Sequence, residues 1–422
     1  MSFEKFGFHP EIMASIHTAS YVDPTPIQEQ AIPPVLAGRD VMGLAQTGTG
    51  KTAAFALPIL QRLRQGKGKR VRALILAPTR ELAEQIHGEI RTLGKKTRVA
   101  CMTLYGGVNI RPQIELLKRG VDVVVACPGR LLDHLSQRTI HLSGLEVLVL
   151  DEADQMFDMG FLPDIRRILQ QLPRQRQTLL FAATMPDEIR SLAREILLEP
   201  VTVQVGKTAP VATVSHALYP VQQHLKTPLL LKLLRQTQSG SVLVFTRTKH
   251  RAKRLGEQLS RAGYQATSLQ GDLPQNRRQA AMNGFRDGSY RILAATDIAA
   301  RGIDVSRVSH VINYDIPDTT ETYIHRIGRT GRASRKGDAF TLVTPQDEEM
   351  VRSIERLLSK TLERRTLDDF DYGVPMPAWR GAPSLNPASG TSLQHRAPRY
   401  AFVGARGKIS RQRKSFNPFG RI

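Results

Sequence analysis

Short apolar runs recur along the chain, separated by longer stretches whose apolar residues fall at helical spacing. Eight runs read as strands: DVMGLA (40–45), RALILA (72–77), DVVVA (122–126), VLVL (147–150), TLLFAAT (178–184), VLVFT (242–246), YRILAAT (290–296) and HVINY (310–314). They are nearly continuous in apolar and β-branched residues instead of alternating, as expected of strands covered on both faces. Between them, ELAEQIHGEIRTL (81–93) and HRAKRLGEQLSRAG (250–263) carry the spacing of amphipathic helices. Strands alternating with helices predict an α/β fold with parallel sheets flanked by helices. The pattern runs twice, with a break over GKTAPVATVSH (206–216). Two tandem domains are therefore expected, at 1–206 and 214–365, joined by a linker at 207–213. No short repeat is visible, which excludes a solenoid. Beyond residue 365 the periodicity stops. From Leu367 to Ile422 there are nine Lys/Arg against three acids, so 366–422 reads as a basic, disordered tail.

Charge adds a partner. The 422 residues carry 60 Lys+Arg and 38 Asp+Glu, a formal charge of +22, which points to a polyanion and first of all to nucleic acid. A basic but unspecific surface is the competing reading. The two cysteines, Cys101 and Cys127, form no metal-ligand pattern and read as small structural residues of a reducing compartment. The first residues lack the apolar core of a signal peptide, and no apolar run has the length of a membrane span. The expectation is a soluble, cytoplasmic protein.

Three stretches carry chemistry. AQTGTGKT (45–52) follows a predicted strand and precedes a predicted helix, the context of a phosphate-binding loop. Gly48, Thr49 and Gly50 would form the turn whose backbone N–H groups wrap phosphates, Lys51 would reach the outer phosphates, and Thr52 would hold Mg²⁺. The strict pattern has Gly at position 45, where this chain has Ala. DEAD (151–154) follows LEVLVL, so its acids sit at the carboxyl end of a buried strand, where α/β sheets bind ligands. Asp151 would hold Mg²⁺ and Glu152 would orient or deprotonate water. Alone, such acids read equally well as a polar loop or helix cap. HRIGRTGR (325–332) sets Arg326, Arg329 and Arg332 three residues apart, on one side of a short helix or turn. It reads as a solvated basic face unless the fold brings a phosphate to it.

With YVDPTPIQ (21–28), PTREL (78–82), GG (106–107), CPGR (127–130), AAT (182–184), VFTRTK (244–249), QGDLPQNRR (270–278) and ATDIAARGID (295–304) added in order, the chain resembles the DEAD-box RNA helicases, and most of all the bacterial RhlE-type subgroup, over roughly residues 2 to 365. The resemblance implies two tandem RecA-like domains, ATP and Mg²⁺ as cofactors, and RNA as partner. Tyr21 would stack on adenine and Gln28 would hydrogen-bond its edge. Arg80, Gly106, Gly107, Arg130, Arg278 and Thr296 match positions that hold the RNA sugar–phosphate chain, contacts that position without reading sequence. Arg329 and Arg332 match arginine fingers and Asp304 a ribose contact, all on the second domain, so catalysis would be assembled when the domains close. Two positions depart from the family pattern. Ala182 replaces a Ser whose hydroxyl would support the DEAD segment near Asp154, with Thr184 retained, and Cys127 replaces a Thr.

The implied function is ATP hydrolysis coupled to local, non-processive unwinding of short RNA duplexes or ribonucleoprotein remodelling. Alternatives are an RNA-dependent ATPase clamp with weak unwinding, favoured by Ala182, and an ATP-independent RNA-binding or annealing protein. A DNA helicase fits PTPIQ and PTREL less well. Relatives suggest ribosomal or RNA-decay partners, which the sequence does not name, and a monomer is assumed.

Overall fold

The computed structural model describes residues 2–45, 48–64, 70–205, 214–237, 240–300, 308–331 and 337–375. In the first domain the strands are β1 (Val41–Leu44), β2 (Ala73–Leu76), β3 (Cys101–Leu104), β4 (Val123–Ala126), β5 (Val147–Leu150), β6 (Gln177–Ala182) and β7 (Val201–Gln204). They form one sheet in the order β3-β4-β2-β5-β6-β1-β7. In the second are β8 (Val214–Pro220), β9 (Ser241–Phe245), β10 (Ala266–Leu269), β11 (Ile292–Ala295), β12 (Val308–Asn313), β13 (Gly337–Val343) and β14 (Glu363–Arg364). Their order is β10-β11-β9-β12-β13-β8-β14. Every pairing in both sheets is parallel. These are two tandem RecA-like α/β domains.

Crossover helices cover both faces of each sheet, which is why the central strands are apolar throughout. Every residue of β2, β4 and β5 is buried. At about 1.5–3 kcal/mol per large buried side chain, such strands and their facing helices supply most of the drive to fold. Parallel strands deliver their carboxyl ends to one edge of the sheet. That edge collects the phosphate loop after β1, PTREL after β2, Tyr105-Gly106-Gly107 after β3, CPGR after β4, DEAD after β5 and AAT after β6. Because β6 lies between β5 and β1, AAT falls between DEAD and the phosphate loop.

All eight expected strands are present. Six others lacked a clear apolar signal: β3, β7, β8, β10, β13 and β14. The break over 206–216 is shorter than expected, since Val214–His216 already belong to β8, hydrogen-bonded in register to Gly337–Ala339 of β13. The linker residues 207–213 lie outside the described residues. So do 376–422, but the tail assigned from 366 begins too early. Leu367, Phe370 and Tyr372 pack on the apolar cluster of the second domain, and Lys232 pairs with Asp369. Tyr372 accepts through its hydroxyl from the Leu367 amide at 3.0 Å, and the His224 ring meets the Val374 carbonyl at 2.8 Å. The acids of LDDFDYG hid an aromatic clasp. Among the described residues, no helix is long and apolar enough to cross a membrane.

Candidate active site and nucleic-acid interface

Gly48 and Gly50 adopt φ of +84° and +93°, backbone that only glycine takes without strain, and they feed directly into the Lys51–Leu63 helix. A Cβ on Gly50 would lie 2.5 Å from Gln28 Nε2, so position 50 must be glycine for space as well. Gln28 is buried. Its Nε2 donates to the Gly50 carbonyl at 3.1 Å and its Oε1 accepts from the Thr25 amide at 2.9 Å, tying the PTPIQ segment to the phosphate loop. Tyr21 is half-buried, edge-on to Phe3, with its hydroxyl donating to Glu89 Oε1 at 2.7 Å. Lys51 is buried and donates to the Ala45 carbonyl at 3.0 Å, within the loop it serves. Thr52 is half-buried at the start of the same helix.

Across β6, Asp151, Glu152 and Asp154 are all buried. Burial pushes the Asp151 carboxyl well above the usual range, against the pull of Lys51 and with Glu152 and Asp154 adding to the rise. Glu152 sits at φ +53°, in the left-handed region where a non-glycine residue is strained by about 1–3 kcal/mol. That strain turns the chain from β5 into the Ala153–Asp158 helix and keeps Glu152 beside Asp151, whose Oδ1 accepts from the Glu152 amide at 3.0 Å. Asp154 Oδ2 accepts three bonds, from the Ala183 amide (3.1 Å), the Thr184 amide (2.8 Å) and the Thr184 hydroxyl (3.0 Å).

The second domain contributes the Thr320–Ile327 helix and the turn after it. Arg326 and Arg329 of HRIGRTGR are not equivalent cations. Arg326 is turned into its own domain, 2% exposed. Its Nε and Nη2 grip Asp297 at 2.6 and 2.7 Å, Nη1 donates to Asn313 Oδ1 and the Asp315 carbonyl, and the guanidinium lies over Phe245 at 5.0 Å. It anchors the helix. Thr330, bonded to the carbonyls of Val308 (2.6 Å) and Ser309 (2.9 Å), anchors the turn. Between these fixed points sits Arg329, buried, with Nε donating to the His325 carbonyl at 3.2 Å. His325 Nε2 in turn lies 4.0 Å from Asp154 Oδ2, so the HRIGR helix meets the DEAD segment. Burial lowers the His325 pKa, leaving a neutral imidazole at that contact. Arg332 and Asp304 lie outside the described residues.

A second meeting of the domains occurs at PTREL. Arg278 donates from Nε (2.9 Å) and Nη2 (2.7 Å) to Glu81 Oε1, and from Nη1 to its own domain's Gln270 carbonyl (3.2 Å). Beside this pair, Arg80 Nη1 donates to Gln275 Oε1 at 2.9 Å. Arg80 also lies over Gly107, at φ +75°, where a Cβ would come within 2.3 Å of its Nη2. Arg130 donates to the Val108 carbonyl (3.0 Å) and to Gln113 Oε1 (3.2 Å). Gly106 lies beside the same guanidinium, and Thr296 stands at the end of β11, its carbonyl accepting from Ala300 at 2.9 Å. The three arginines assigned to RNA are thus all bonded within the protein, two of them across the domain boundary. Sequence reading missed Glu81, Gln275, Gln113 and the placement of His325. Glu81, Gln275 and His325 stood inside quoted motifs, so their signal was available, whereas Gln113 had none beyond being an amide near a glycine pair and an arginine.

Residues 25–192 match the family model described as DEAD/DEAH box helicase, and 225–334 match the helicase conserved C-terminal domain. The DEAD-box ATP-dependent RNA helicase RhpA of Helicobacter pylori strain B128 is 45% identical over 363 residues, which cover 86% of this chain and 73% of RhpA. The chain belongs to the DEAD-box ATP-dependent RNA helicase family. CshA of Bacillus cereus, a DEAD-box ATP-dependent RNA helicase, is 43% identical over 374 residues, covering 88% of this chain and 71% of CshA. Among solved structures, S. cerevisiae Dbp5 bound to RNA and ADP BeF3 is similar across both domains. Its TM-score is 0.78 at 32% identity, covering 86% of this chain and 95% of that one.

The two departures from the family pattern have different consequences. Ala182 ends β6 fully buried in the apolar cluster under the sheet. Asp154 already has three donors on one oxygen without it, so the missing hydroxyl leaves the DEAD segment held. Cys127 is the N-cap of the Pro128–Ser136 helix and makes no side-chain cap bond, whereas Thr79 caps its helix through Oγ1 to the Leu82 amide at 3.2 Å. Burial pushes the thiols of Cys101 and Cys127 up to about 12, so both stay protonated and unreactive. A threonine at 127 would restore a cap worth about 0.5–2 kcal/mol. Cys127→Thr should therefore raise the first unfolding midpoint by roughly 1–8 °C in a thermal melt. A midpoint that stays put or falls would mean the hydroxyl cannot reach the helix amides.

Proposed function

We propose that this protein is an ATP-dependent RNA helicase that hydrolyses ATP when its two domains close on RNA, and uses that closure for local, non-processive separation of short duplexes or remodelling of RNA–protein complexes. The observation that carries the reading is the double meeting of the domains: Glu81 and Arg80 with Arg278 and Gln275, and Asp154 with His325. Both contacts join residues of ATP-site or RNA-site motifs, so nucleotide and RNA each favour the same arrangement and each tightens the other's binding. The likeness to a relative bound to RNA and ADP BeF3 over both domains supports this.

In this reading the backbone around Gly48, Thr49 and Gly50 with Lys51 holds the phosphates, Tyr21 packs on adenine, and Gln28, with one N–H to spare, reads its edge. The residues fit Mg²⁺. The Thr52 hydroxyl and the Asp151 carboxylate are hard oxygen donors, and a buried carboxylate with a raised pKa is one that a divalent cation would relieve. Bound there, the ion would neutralise phosphate charge. Glu152 takes the proton of the attacking water, Arg329 and Arg332 stabilise charge developing on the outer phosphate, and Asp304 contacts the ribose. Arg80, Gly106, Gly107, Arg130, Arg278 and Thr296 line the RNA path. Within the family we assign the chain to the RhlE-type subgroup on its motif set over roughly residues 2 to 365. We divide it at a linker spanning 207–213, carry the second domain to about residue 375, and place it in the cytoplasm, where ATP and RNA meet and free thiols persist.

Steady-state ATP hydrolysis measured without nucleic acid, with single-stranded RNA and with DNA of the same sequence tests the reading. RNA should stimulate turnover at least about tenfold and DNA should not, because contact with 2′-hydroxyls distinguishes the two. Equal stimulation by DNA would sink the RNA assignment, and none by either would sink the closure mechanism.

A further inference from the structure

Behind Arg130 lies a buried amide. Gln113, 7% exposed, is on the Arg111–Arg119 helix that follows the Gly106-Gly107 loop. Its Nε2 donates to the Tyr105 carbonyl at 3.1 Å, just before the two glycines. Its Oε1 accepts from Arg130 Nη1 at 3.2 Å, and Arg130 Nη2 donates to the Val108 carbonyl, just after them. The four residues Tyr105–Val108, Arg130 and Gln113 thus form a closed hydrogen-bonded ring with Gly106 and Gly107 at its outer end. A flipped amide would set its NH₂ against the guanidinium and its oxygen against a carbonyl, so the orientation is fixed.

The helix that carries Arg130 holds the amide a second time. His134, fully buried on the Pro128–Ser136 helix, approaches Gln113 Oε1 with Nε2 at 3.1 Å and Thr139 Oγ1 with Nδ1 at 2.7 Å. Burial and the nearby Arg130 charge lower its pKa, with Asp133 opposing, so the ring is neutral. An amide oxygen only accepts, which puts the proton on Nε2 and leaves Nδ1 to accept from Thr139.

We propose that Gln113, locked by His134, is the positioning residue of the RNA site: it sets the Gly106-Gly107 loop and Arg130 in one register against the phosphate chain. The inference rests on the reading of that loop and Arg130 as RNA contacts. Of the two side-chain amides, only glutamine supplies a donor and an acceptor at this reach. Asp133, whose Oδ2 lies 3.3 Å from Arg130 Nε, restrains the guanidinium from its third side. With the bonds to Val108 and Gln113 made, each terminal nitrogen keeps one N–H for a phosphate oxygen. Freed from Gln113, the guanidinium loses its fixed plane and the loop loses one of its two ties.

The test is the salt dependence of RNA half-saturation, read from RNA-stimulated ATP hydrolysis by the full chain between about 50 and 200 mM salt. Gln113→Met removes every polar bond. Gln113→Asn keeps a buried amide, so it spares the fold, but falls one methylene short of Arg130. Arg130→Met is the reference. Each phosphate contact on a single strand contributes about 0.7 to the slope of log K against log salt. Both Gln113 variants should weaken RNA binding about tenfold and flatten the slope by about 0.7, as Arg130→Met does. A general loss of folded protein would lower activity without touching the slope. If Arg130→Met flattens the slope and the Gln113 variants leave it unchanged, the positioning role is overturned. If Arg130→Met leaves it unchanged, the RNA site itself has been misread.

Discussion

Glu152→Gln should slow RNA-stimulated ATP turnover by about 10²–10⁴-fold, the usual contribution of a positioned general base, while leaving the protein able to hold RNA in the presence of ATP. The substitution is isosteric, so the turn at φ +53° and the bond from the residue 152 amide to Asp151 Oδ1 survive it. What changes is charge. Glu152 is one of the groups that raise the Asp151 pKa, so its removal makes Asp151 easier to ionise and a better ligand for a cation. Nucleotide affinity should hold or rise while chemistry fails, and the two domains should stay closed on RNA because phosphate release never follows. Single-turnover ATP hydrolysis together with RNA retention, with and without ATP, separates these effects. Turnover within about threefold of the parent would remove Glu152 from the role of base. Lost RNA retention would mean that Glu152 helps to close the domains as well.

The sequence announced the centre of each sheet more clearly than its margins. Strands such as β2 and β4 are apolar on both faces, because helices cover both sides. At the margins one face meets polar groups: in β3 Cys101 and Thr103 are half-buried, and in β10 Thr267 and Ser268 are. Their runs are mixed and short, and the periodic signal disappears. The proposed ATP site was legible because its chemistry needs rare combinations, glycines before Lys-Thr and acids after a buried strand. The RNA side was legible only in part. Arg80, Arg130 and Arg278 stand in motifs, but what they hold does not. Gln113 and His134 sit on helices with ordinary amphipathic patterns, and their meeting depends on where β3 and β4 place those helices. Arg326 shows the converse. It looked like one of three equivalent cations, and only the fold shows it committed to Asp297 and Phe245.

Reversing either charge at the domain boundary should have the second large effect. Glu81 and Arg278 are 6% and 12% exposed in their side chains, so closure takes both out of water at once. Removing one partner of such a buried pair costs about 3–5 kcal/mol, because the other is left buried and uncompensated. When the domains are apart, each side chain returns to water and nothing is lost. The penalty therefore falls on the closed arrangement alone. Glu81→Arg or Arg278→Glu should each reduce RNA-stimulated turnover and strand separation by about 10²–10³-fold, with each domain melting as before. The double variant restores a pair of opposite charges in the same place, beside Arg80 and Gln275, and should recover at least about tenfold of the loss. Recovery of that kind marks the contact as one made between domains, whereas a residue serving only RNA would show additive losses. If the double variant is as impaired as the sum of the two singles, Arg278 serves the RNA and its bond to Glu81 is incidental to closure.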